Sequence, residues 1–295
     1  MHRPNASRHR FTQLCIVSLI GLSIASISAA QVEVSKGIEF ASINGHSLRL
    51  DLYRPQTSEL PKTVVWVHGG AWRRGSRASM PLKAFLDRGF AVASVDYRLT
   101  PIAPFPAQVH DIKAAIRFLR AEANSLRIDT KKIIVAGASA GGHLAALAGT
   151  TNGHAELEGS VGDNSNHSSD VQGIISYYGA SNLTSILSQS TPHGLGVRIP
   201  ALQLLLGGQP EDKPAIAKLA SPVFHVDAND PPLFLVHGDQ DPQMPINQAH
   251  ELNGAYREAG KRQEFVVLHG AKHGGPAFYT PELSLKIIQF LQKNW

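Results

Sequence analysis

One serine in the chain stands where it could act as a nucleophile. Residues 137–141 read Gly-Ala-Ser-Ala-Gly, directly after the apolar run 133–135 and before an apolar helical stretch through Leu144. A serine between a strand and a helix, with glycines two places away on each side, can be held on a sharp turn with its hydroxyl above a sheet. The alternative is a pair of packing glycines at a tight turn. The strand-turn-helix setting favours Ser139 as the nucleophile of an acyl-transfer reaction.

A second glycine-containing stretch could stabilise the charge that such a reaction creates. Residues 68–72 read His-Gly-Gly-Ala-Trp and follow the apolar run 64–67. A backbone N–H group aimed at a developing oxyanion contributes about 3 to 4 kcal/mol, and glycine lets the backbone approach a substrate closely. The three predicted donors are the backbone amides of Gly70, Ala71 and Ala140. We expect His68 to brace this turn rather than react, whereas Trp72 could form a pocket wall or pack in the interior.

A nucleophilic serine needs an imidazole to accept its proton and a carboxylate to orient that imidazole. Two loops after apolar runs offer candidates: Asp239 and Asp241 in one, His269 and His273 in the other. Asp241 is favoured as the acid because it lies further beyond the strand, whereas Asp239 is better placed to hydrogen-bond the turn backbone. His273 is favoured as the base because it lies in a glycine-flanked loop, whereas His269 still abuts the strand.

The 14 histidines make a metal site the competing interpretation of this chain. No pair of histidines with nearby acids stands at ligand spacing on one predicted helix or strand. We therefore predict no metal and no cofactor. The remaining histidines, including His143 beside the serine, are expected to be packed or surface side chains.

The pattern around these motifs predicts the elements that must position them. Alternating runs on both sides of Asn44-Gly45 indicate a β-hairpin over residues 33–54. Short apolar runs indicate strands covered on both faces, at 63–67, 91–95, 133–136, 171–178, 233–236 and 265–268. Helical periods alternate with them, at 81–88, 105–123, 141–147, 247–259 and 283–291. The alternation predicts an α/β fold: a mostly parallel, doubly wound sheet flanked by helices, with an N-terminal antiparallel hairpin.

Two stretches interrupt this alternation. Residues 152–170 are polar and rich in Gly, Asn and Ser, and residues 183–221 carry loose apolar clusters with several prolines. We expect both to be loops or small lid elements over one end of the sheet. Residues 31–295 are otherwise expected to form a single domain.

The first 30 residues have the features of an export signal. Three arginines precede an apolar run, and Ser28-Ala29-Ala30 provides a small-residue cleavage site. The alternative is a membrane anchor, but the uninterrupted apolar run falls short of the roughly 18 residues that span a bilayer. Cleavage would lower the net charge from +5 to +2, because the segment holds three Arg and no acid, and would remove Cys15, the only cysteine. We therefore expect a periplasmic or extracellular protein without disulfides, without a membrane association after cleavage and without a nucleic-acid partner.

The motifs together resemble the esterase branch of the α/β-hydrolase superfamily. The branch includes acetylxylan and feruloyl esterase-like carbohydrate esterases and lies near the hormone-sensitive-lipase and kynurenine-formamidase groups. The resemblance rests on residues 68–72, 96–99, 104–108, 111, 137–143, 177–179, 221–222, 237–245 and 269–275. It implies Ser139, Asp241 and His273 as the catalytic triad, and structural roles for Tyr97, Arg98 and Asp111. Ala71 stands where hormone-sensitive-lipase-like members usually show a third glycine, which favours the carbohydrate-esterase-like branch.

The sequence thus predicts an exported serine esterase that cleaves carboxylic esters through an acyl-enzyme. The resemblance implies short-chain or aromatic acyl groups on carbohydrate, so the expected partner is a small-molecule or oligosaccharide ester. An arylformamidase- or lipase-like hydrolase is the alternative, although a lipase should show a longer apolar lid than residues 183–221 provide. A non-catalytic binding module with this fold is disfavoured, because it would be expected to have lost the serine, the histidine or the glycine turn.

Overall fold

The computed structural model describes residues 1–2 and 31–294. The export signal predicted over residues 1–30 lies outside the described residues, apart from Met1 and His2. Of the helices in the described part of the chain, none combines the length and the apolar character that crossing a bilayer requires.

Eight strands form one twisted sheet. They are β1 (Val32–Ile43), β2 (His46–Pro55), β3 (Lys62–Val67), β4 (Ala91–Val95), β5 (Asp129–Ala138), β6 (Gly173–Tyr177), β7 (Leu233–Gly238) and β8 (Gln263–Leu268). Their spatial order is β1-β2-β4-β3-β5-β6-β7-β8, in which β2 is antiparallel to β1 and β4 while the other neighbours are parallel. The predicted mostly parallel sheet with an N-terminal hairpin is confirmed. The chain reverses its winding direction between β4 and β5, so the crevice for a ligand is expected at the carboxyl ends of β3 and β5.

The hairpin and the inner strands follow from the sequence pattern. Asn44 and Gly45 both have positive φ, 50° and 77°, as a two-residue turn between right-twisted strands requires. β4 and β6 are buried along their whole length, which explains why their sequences are continuous apolar runs rather than alternating ones.

Helices cover both faces of the sheet. The five that were predicted are α1 (Lys83–Leu86), α2 (Ala107–Ala121), α3 (Ala140–Thr150), α8 (Asn247–Glu258) and α9 (Pro281–Asn294). One face carries α2, α3 and α8, whose apolar residues join the larger core cluster. The opposite face carries α1 and α9, which pack in a second cluster around Trp66 and Tyr177. This two-sided arrangement is the doubly wound layer structure that the alternation of strands and helices predicted.

The two interrupting stretches contain short helices and one long one. They include α4 (Ala155–Glu158), α5 (Ile186–Gln189), α6 (Pro192–Leu206) and α7 (Pro214–Leu219). The 15-residue α6 is longer than the loops or small lid elements expected there. Two glycines and Pro200 lie within α6 and obscure its helical period, but the Thr191 hydroxyl caps its first turn and Pro192 suits the start of a helix.

Candidate active site

Ser139 occupies the sharp turn between β5 and α3. Its backbone lies at φ 55° and ψ −119°, a strained conformation for a residue with a side chain. Gly137 and Gly141 allow this turn because a Cβ on either would lie about 2 Å from backbone atoms, 2.2 Å from the Gly141 carbonyl oxygen and 2.0 Å from the Val67 carbonyl oxygen respectively. Strand and helix can therefore approach closely only with glycine at these two positions, and the serine is held at the carboxyl end of the central strands.

His273 lies within hydrogen-bonding distance of the serine. Its loop follows β8, and its Nε2 atom is 2.9 Å from Ser139 Oγ, so the imidazole can accept the hydroxyl proton. The edge of the imidazole packs against the Tyr178 ring at a centroid distance of 4.8 Å. The side chain is 17% exposed, which leaves room for a substrate while most of the ring is held by protein.

Asp241 holds the other side of this imidazole. Its Oδ2 atom accepts from His273 Nδ1 at 2.6 Å, and its Oδ1 atom accepts from the backbone amides of Gln243 and Met244, both at 2.8 Å. His237 Nε2 lies 3.5 Å from Oδ2 and also donates to the Met244 carbonyl at 3.0 Å. Burial alone would raise the pKa of Asp241, but the hydrogen bonds from His237 and His273 outweigh burial and hold that pKa below its usual range. The carboxylate is therefore ionised and can stabilise an imidazolium.

The neighbouring acid and base form a separate pair at the surface. Asp239 Oδ2 accepts from His269 Nδ1 at 2.8 Å and Asp239 Oδ1 accepts from the Gly270 amide at 2.7 Å. The His269 side chain is 88% exposed. Of the two acids and two bases that the sequence offered, the structure brings Asp241 and His273 to Ser139 and leaves the other two bonded to each other.

The turn after β3 places Gly70 and Ala71 in the lining of the cavity beside Ser139. Gly70 and Ala71 have positive φ values of 115° and 53°, and the turn is closed by hydrogen bonds from the amides of Arg73 and Arg74 to the Gly70 carbonyl, both at 3.2 Å. Within residues 31–294, the amides of Gly70 and Ala71 donate to no protein acceptor. Ala140 begins α3, where N–H groups have no acceptor within the helix. The oxyanion role that the sequence predicts for the amides of Gly70, Ala71 and Ala140 stays a prediction.

His68 and Trp72 support this turn from behind. His68 Nδ1 lies 2.7 Å from the Gly69 carbonyl, and its ring stacks on Tyr97 at 4.4 Å. Trp72 is fully buried and its indole donates to His143 Nδ1 at 3.1 Å. His143 Nε2 in turn donates to the Ala220 carbonyl at 2.6 Å, and burial lowers the pKa of His143 to about 4. Trp72 therefore packs in the interior, and His68 and His143 serve as neutral braces.

A cavity of about 430 Å³ opens beside Ser139 and His273. Aromatic side chains form one wall: Trp66, whose indole donates to the Ser79 carbonyl at 2.6 Å, and Tyr178 and Tyr279, whose hydroxyls are 2.8 Å apart. A larger cavity of about 850 Å³ lies between the hairpin tip, α2 and residues 160–164 and does not include the serine or its partners. We take the smaller cavity as the candidate active site, because it is lined by Ser139 and His273 and the larger cavity is not.

Several residues of this site were not identified from the sequence. Tyr178 follows a strand directly, at the carboxyl end where ligands bind, so its position was a usable signal. His237 is the penultimate residue of β7, the strand that precedes the loop of Asp241, and its burial beside Asp241 could not be predicted from its residue type. Tyr279 comes from a short 3₁₀ segment (Pro276–Tyr279), and no pattern in the sequence marks it. In residues 31–294, no three His, Cys, Asp or Glu side chains are grouped as metal ligands.

Comparison with known proteins agrees with this architecture. The BD-FAE family profile matches residues 50–256, which hold Ser139 and Asp241. The chain belongs to the BD-FAE family. The esterase branch of the α/β-hydrolases that the sequence motifs resemble is thereby confirmed.

Individual relatives of this BD-FAE member are named as esterases. It is 32% identical over 233 residues to Esterase LipC of Mycobacterium tuberculosis, which covers 76% of this chain and 56% of LipC. The chain thus spans about half the length of the curated relatives it matches. A solved truncated carbohydrate esterase from gut microbiota is 29% identical with a TM-score of 0.79, over 90% of this chain and 97% of its own. The acetyl ester-xyloside bifunctional hydrolase of Caldicellulosiruptor lactoaceticus is 26% identical with a TM-score of 0.71, over 85% and 89%.

Proposed function

We propose that the chain is a serine esterase that hydrolyses carboxylic esters through an acyl-enzyme on Ser139. The observation that carries the proposal is the continuous hydrogen-bonded line from Asp241 through His273 to Ser139 Oγ, with distances of 2.6 and 2.9 Å. The esterase names of the relatives agree with this reaction.

The reaction follows from the order of these groups. Ser139 Oγ attacks the ester carbonyl while His273 Nε2 accepts its proton, and Asp241 stabilises the resulting imidazolium. The imidazolium then gives the proton to the leaving alcohol oxygen, which leaves the acyl group on Ser139. Water, deprotonated by His273, attacks the acyl-enzyme and releases the acid. Both tetrahedral intermediates carry an oxyanion, for which Gly70, Ala71 and Ala140 offer backbone amides.

The substrate part of the proposal is a short-chain or aromatic acyl group on carbohydrate. The solved relatives are named as a carbohydrate esterase and an acetyl ester-xyloside bifunctional hydrolase. The cavity supports the same class, because the aromatic residues Trp66, Tyr178 and Tyr279 are among those that line it, and aromatic side chains pack well against a sugar or an aromatic acyl ring. When one tyrosine hydroxyl donates to the other, a second O–H remains available to a substrate hydroxyl.

Replacement of the nucleophile tests the reaction. Ser139→Ala should lower turnover of p-nitrophenyl acetate by about 10⁶-fold, with an unchanged circular dichroism spectrum. Ser169→Ala, at another buried serine remote from the site, is the matched control and should retain full activity. Retention of near-normal turnover in Ser139→Ala would overturn the proposal.

A substrate panel tests the specificity. Acetylated xylan, feruloylated arabinose, simple alkyl esters, an arylformamide and a long-chain triacylglycerol are compared by kcat/KM. We expect the two carbohydrate esters to be the best substrates. A preference for the arylformamide or the triacylglycerol would favour an arylformamidase-like or a lipase-like enzyme on the same triad.

We also propose that the protein is exported and cleaved after Ala30, on the strength of the basic start, apolar run and small-residue site in residues 1–30. Expression of the full chain in a Gram-negative host should yield a mature protein whose N-terminal sequence begins at Gln31 in the periplasm or the medium. A protein that keeps its first 30 residues in the cell interior would contradict this proposal.

A further inference from the structure

Two tyrosine hydroxyls face each other in the lining of the cavity beside Ser139. Tyr178 follows β6, Tyr279 ends the 3₁₀ segment after the His273 loop, and their hydroxyl oxygens are 2.8 Å apart. Within residues 31–294, no third protein group forms a hydrogen bond with either oxygen. We name these two residues the tyrosine pair, and it keeps hydrogen-bonding capacity that the protein does not use.

The tyrosine pair lies next to the base of the triad. The Tyr178 ring and the His273 imidazole pack at 67° with their centres 4.8 Å apart. A Cβ on Gly274, the next residue along the chain, would lie 3.2 Å from the Tyr178 hydroxyl oxygen, so this hydroxyl lies beside the same loop. In ester cleavage the base gives its proton to the leaving alcohol oxygen, which must come within hydrogen-bonding distance of His273. The tyrosine pair is consequently placed beside the alcohol part of a bound ester.

The surrounding structure fixes both rings of the tyrosine pair. Tyr178 has a positive φ of 40°, a strained conformation for a residue with a side chain, and its amide donates to the Val236 carbonyl at 2.7 Å. The centre of its ring lies 4.6 Å from that of Phe278. The Tyr279 ring packs against Trp66 with a centroid distance of 6.1 Å. Strained residues that packing holds in place are typical of functional sites, and this packing presents the two hydroxyls in one arrangement before a substrate arrives.

The unused bonding capacity of the tyrosine pair matches a diol. Two phenol hydroxyls carry two hydrogens and four lone pairs, and the bond between them uses one of each. One donor and several acceptor lone pairs remain, and burial raises the pKa of both phenols, so the donor is kept at neutral pH. One substrate hydroxyl can accept from the first phenol while its neighbour donates to the second, whereas an ether has no hydrogen to donate. Adjacent hydroxyls of a pyranose ring lie about as far apart as two hydrogen-bonded oxygens, which suits the spacing of the phenol oxygens.

We propose that the tyrosine pair is the specificity-determining site for the alcohol part of the substrate, where it binds two adjacent free hydroxyls of the sugar that carries the ester. This inference rests on the proposed function, because it assigns one wall of the same cavity to one part of the same ester. The acyl group then lies away from Tyr178 and Tyr279. Esters whose alcohol part lacks a diol are therefore poorer substrates, whatever their acyl group.

The test compares two esters that differ in the diol alone. An acetyl ester on the primary hydroxyl of a methyl glucopyranoside is compared with the analogue in which the two nearest ring hydroxyls are replaced by hydrogen. The ratio of kcat/KM for the diol ester to that for the deoxy ester should be about 10 to 100 in the wild type. Tyr178→Phe and Tyr279→Phe should each lower this ratio by about threefold to tenfold, and the double variant should bring it close to one. A disturbance of the triad affects both substrates equally and cancels in the ratio.

Tyr256→Phe provides the matched control. Tyr256 is another buried tyrosine, on α8, and its hydroxyl has no hydrogen-bond partner within residues 31–294. It lies near Asp230, before the amino end of β7, whereas the acid of the triad follows the carboxyl end of that strand. Tyr256→Phe should keep the wild-type ratio. A wild-type ratio near one, or a ratio that the double variant of the tyrosine pair leaves unchanged, would overturn the proposal.

A second set of esters distinguishes recognition of the alcohol from recognition of the acyl group. Methyl ferulate and methyl acetate share an alcohol without further hydroxyls and differ in the acyl group. Tyr279→Phe and the wild type should show the same preference between these two esters. A large loss in Tyr279→Phe that is confined to methyl ferulate would place the tyrosine pair at the acyl group and contradict the proposal.

A binding measurement separates this proposal from the proposed function. Saturation-transfer NMR of methyl glucopyranoside, the alcohol product, needs no turnover and is recorded on Ser139→Ala with and without the double Phe substitution of the tyrosine pair. We expect saturation transfer to the sugar in Ser139→Ala and its loss when both phenol hydroxyls are removed. Equal transfer in both proteins overturns the role of the tyrosine pair even if Ser139→Ala abolishes esterase activity. Sugar binding that needs the tyrosine pair, in a protein without esterase activity, would instead overturn the proposed function and leave the diol site standing.

Discussion

Two aspartate-histidine pairs come from the same two loops and have opposite surroundings. The acids are two residues apart and the bases are four residues apart, and each acid accepts from the Nδ1 atom of its histidine, at 2.6 Å for Asp241-His273 and 2.8 Å for Asp239-His269. The side chain of His273 is 17% exposed and that of His269 is 88% exposed. Only the buried pair reaches a serine. The two pairs thus have the same residue types and similar hydrogen-bond lengths. They differ in the burial of the histidine and in whether that histidine lies within hydrogen-bonding distance of Ser139.

The environment of each carboxylate explains the difference. Asp241 has a fully buried side chain, accepts from two backbone amides and lies beside two imidazoles. Asp239 accepts from one amide and one imidazole at the surface, where the His269 hydrogen bond lowers the pKa of Asp239 but solvent competes for both groups. A surface pair of this kind links the β7 and β8 loops and contributes little to chemistry.

The strongest test of this comparison replaces the two bases. His273→Ala should lower kcat/KM on p-nitrophenyl acetate by about 10⁵- to 10⁶-fold, since His273 Nε2 is the base that lies within hydrogen-bonding distance of Ser139 Oγ. His269→Ala should stay within about twofold of the wild type. A large loss in His269→Ala, measured under the same conditions, would mean that the exposed pair takes part in the reaction.

Replacement of the acids should have the next largest effect. Asp241→Asn should lower kcat by about 10⁴-fold, because an amide favours the wrong imidazole tautomer and carries no charge. Asp239→Asn should lower it by about twofold at most. The two variants have the same change in side-chain chemistry, so a reversed order in steady-state kinetics would refute the assignment of Asp241.

Replacement of His237, the second imidazole beside Asp241, should have a smaller effect on activity. His237→Phe keeps the ring volume and removes the Nε2–H that lies 3.5 Å from Asp241 Oδ2. Loss of a hydrogen bond to a buried charged group should lower kcat by about tenfold. His250→Phe, on the exposed side of α8, is the control and should have normal kinetics. Equal activity of both variants would indicate that the two backbone amides alone hold the carboxylate.

A third carboxylate shows what burial does without an imidazole. Asp230 is buried, and burial raises the pKa of Asp230 to about 7. Its carboxyl keeps a proton in the folded protein that the unfolded chain releases near about pH 4, so stability falls as pH rises from about 4 to 7.

Asp230→Asn removes this penalty and keeps an oxygen that can accept from the Asp227 amide. The free energy of unfolding at pH 8 should rise by about 2 to 4 kcal/mol, whereas the variant and the wild type should be equally stable at pH 4. Urea unfolding at both pH values checks this expectation, with Asp212→Asn at an exposed position as the control. A gain of equal size at both pH values would rule out titration of Asp230 as its cause.

The fold and the core of the site could be predicted because the sequence marks them locally. The glycines around Ser139 are required by backbone contacts of about 2 Å, and such contacts leave a recognisable motif. The strands were predictable because β4 and β6 are buried on both faces and therefore continuously apolar. Asp241 lies two residues beyond Asp239, and His273 lies four residues beyond His269. This spacing was enough to choose between the candidates, because the preceding strands β7 and β8 have well-defined ends.

The remainder depends on tertiary contacts that leave no local pattern. The period of α6 is interrupted by Gly194, Gly196 and Pro200, and the helix is stabilised by burial of side chains such as Leu202 against the core. Arg198 reaches the Gln243 carbonyl only because α6 docks on the residues that follow Asp241, where the Thr191 hydroxyl donates to the Pro242 carbonyl. Tyr279 meets Tyr178 across 101 residues of chain, and neither residue has a neighbour in sequence that predicts the contact.

The hydrogen bonds from Trp72 to His143 and from His143 to Ala220 join three segments that are distant in sequence. His143 must accept from one partner and donate to the other, so a side chain with only donors or only acceptors cannot replace it. The path of the interrupting segment 183–221 is therefore constrained at its carboxyl-terminal end, where the Ala220 backbone carbonyl must meet the imidazole. Val197, earlier in that segment, lines the cavity beside Ser139, so a change of its side chain would alter the cavity without removing either of these two hydrogen bonds.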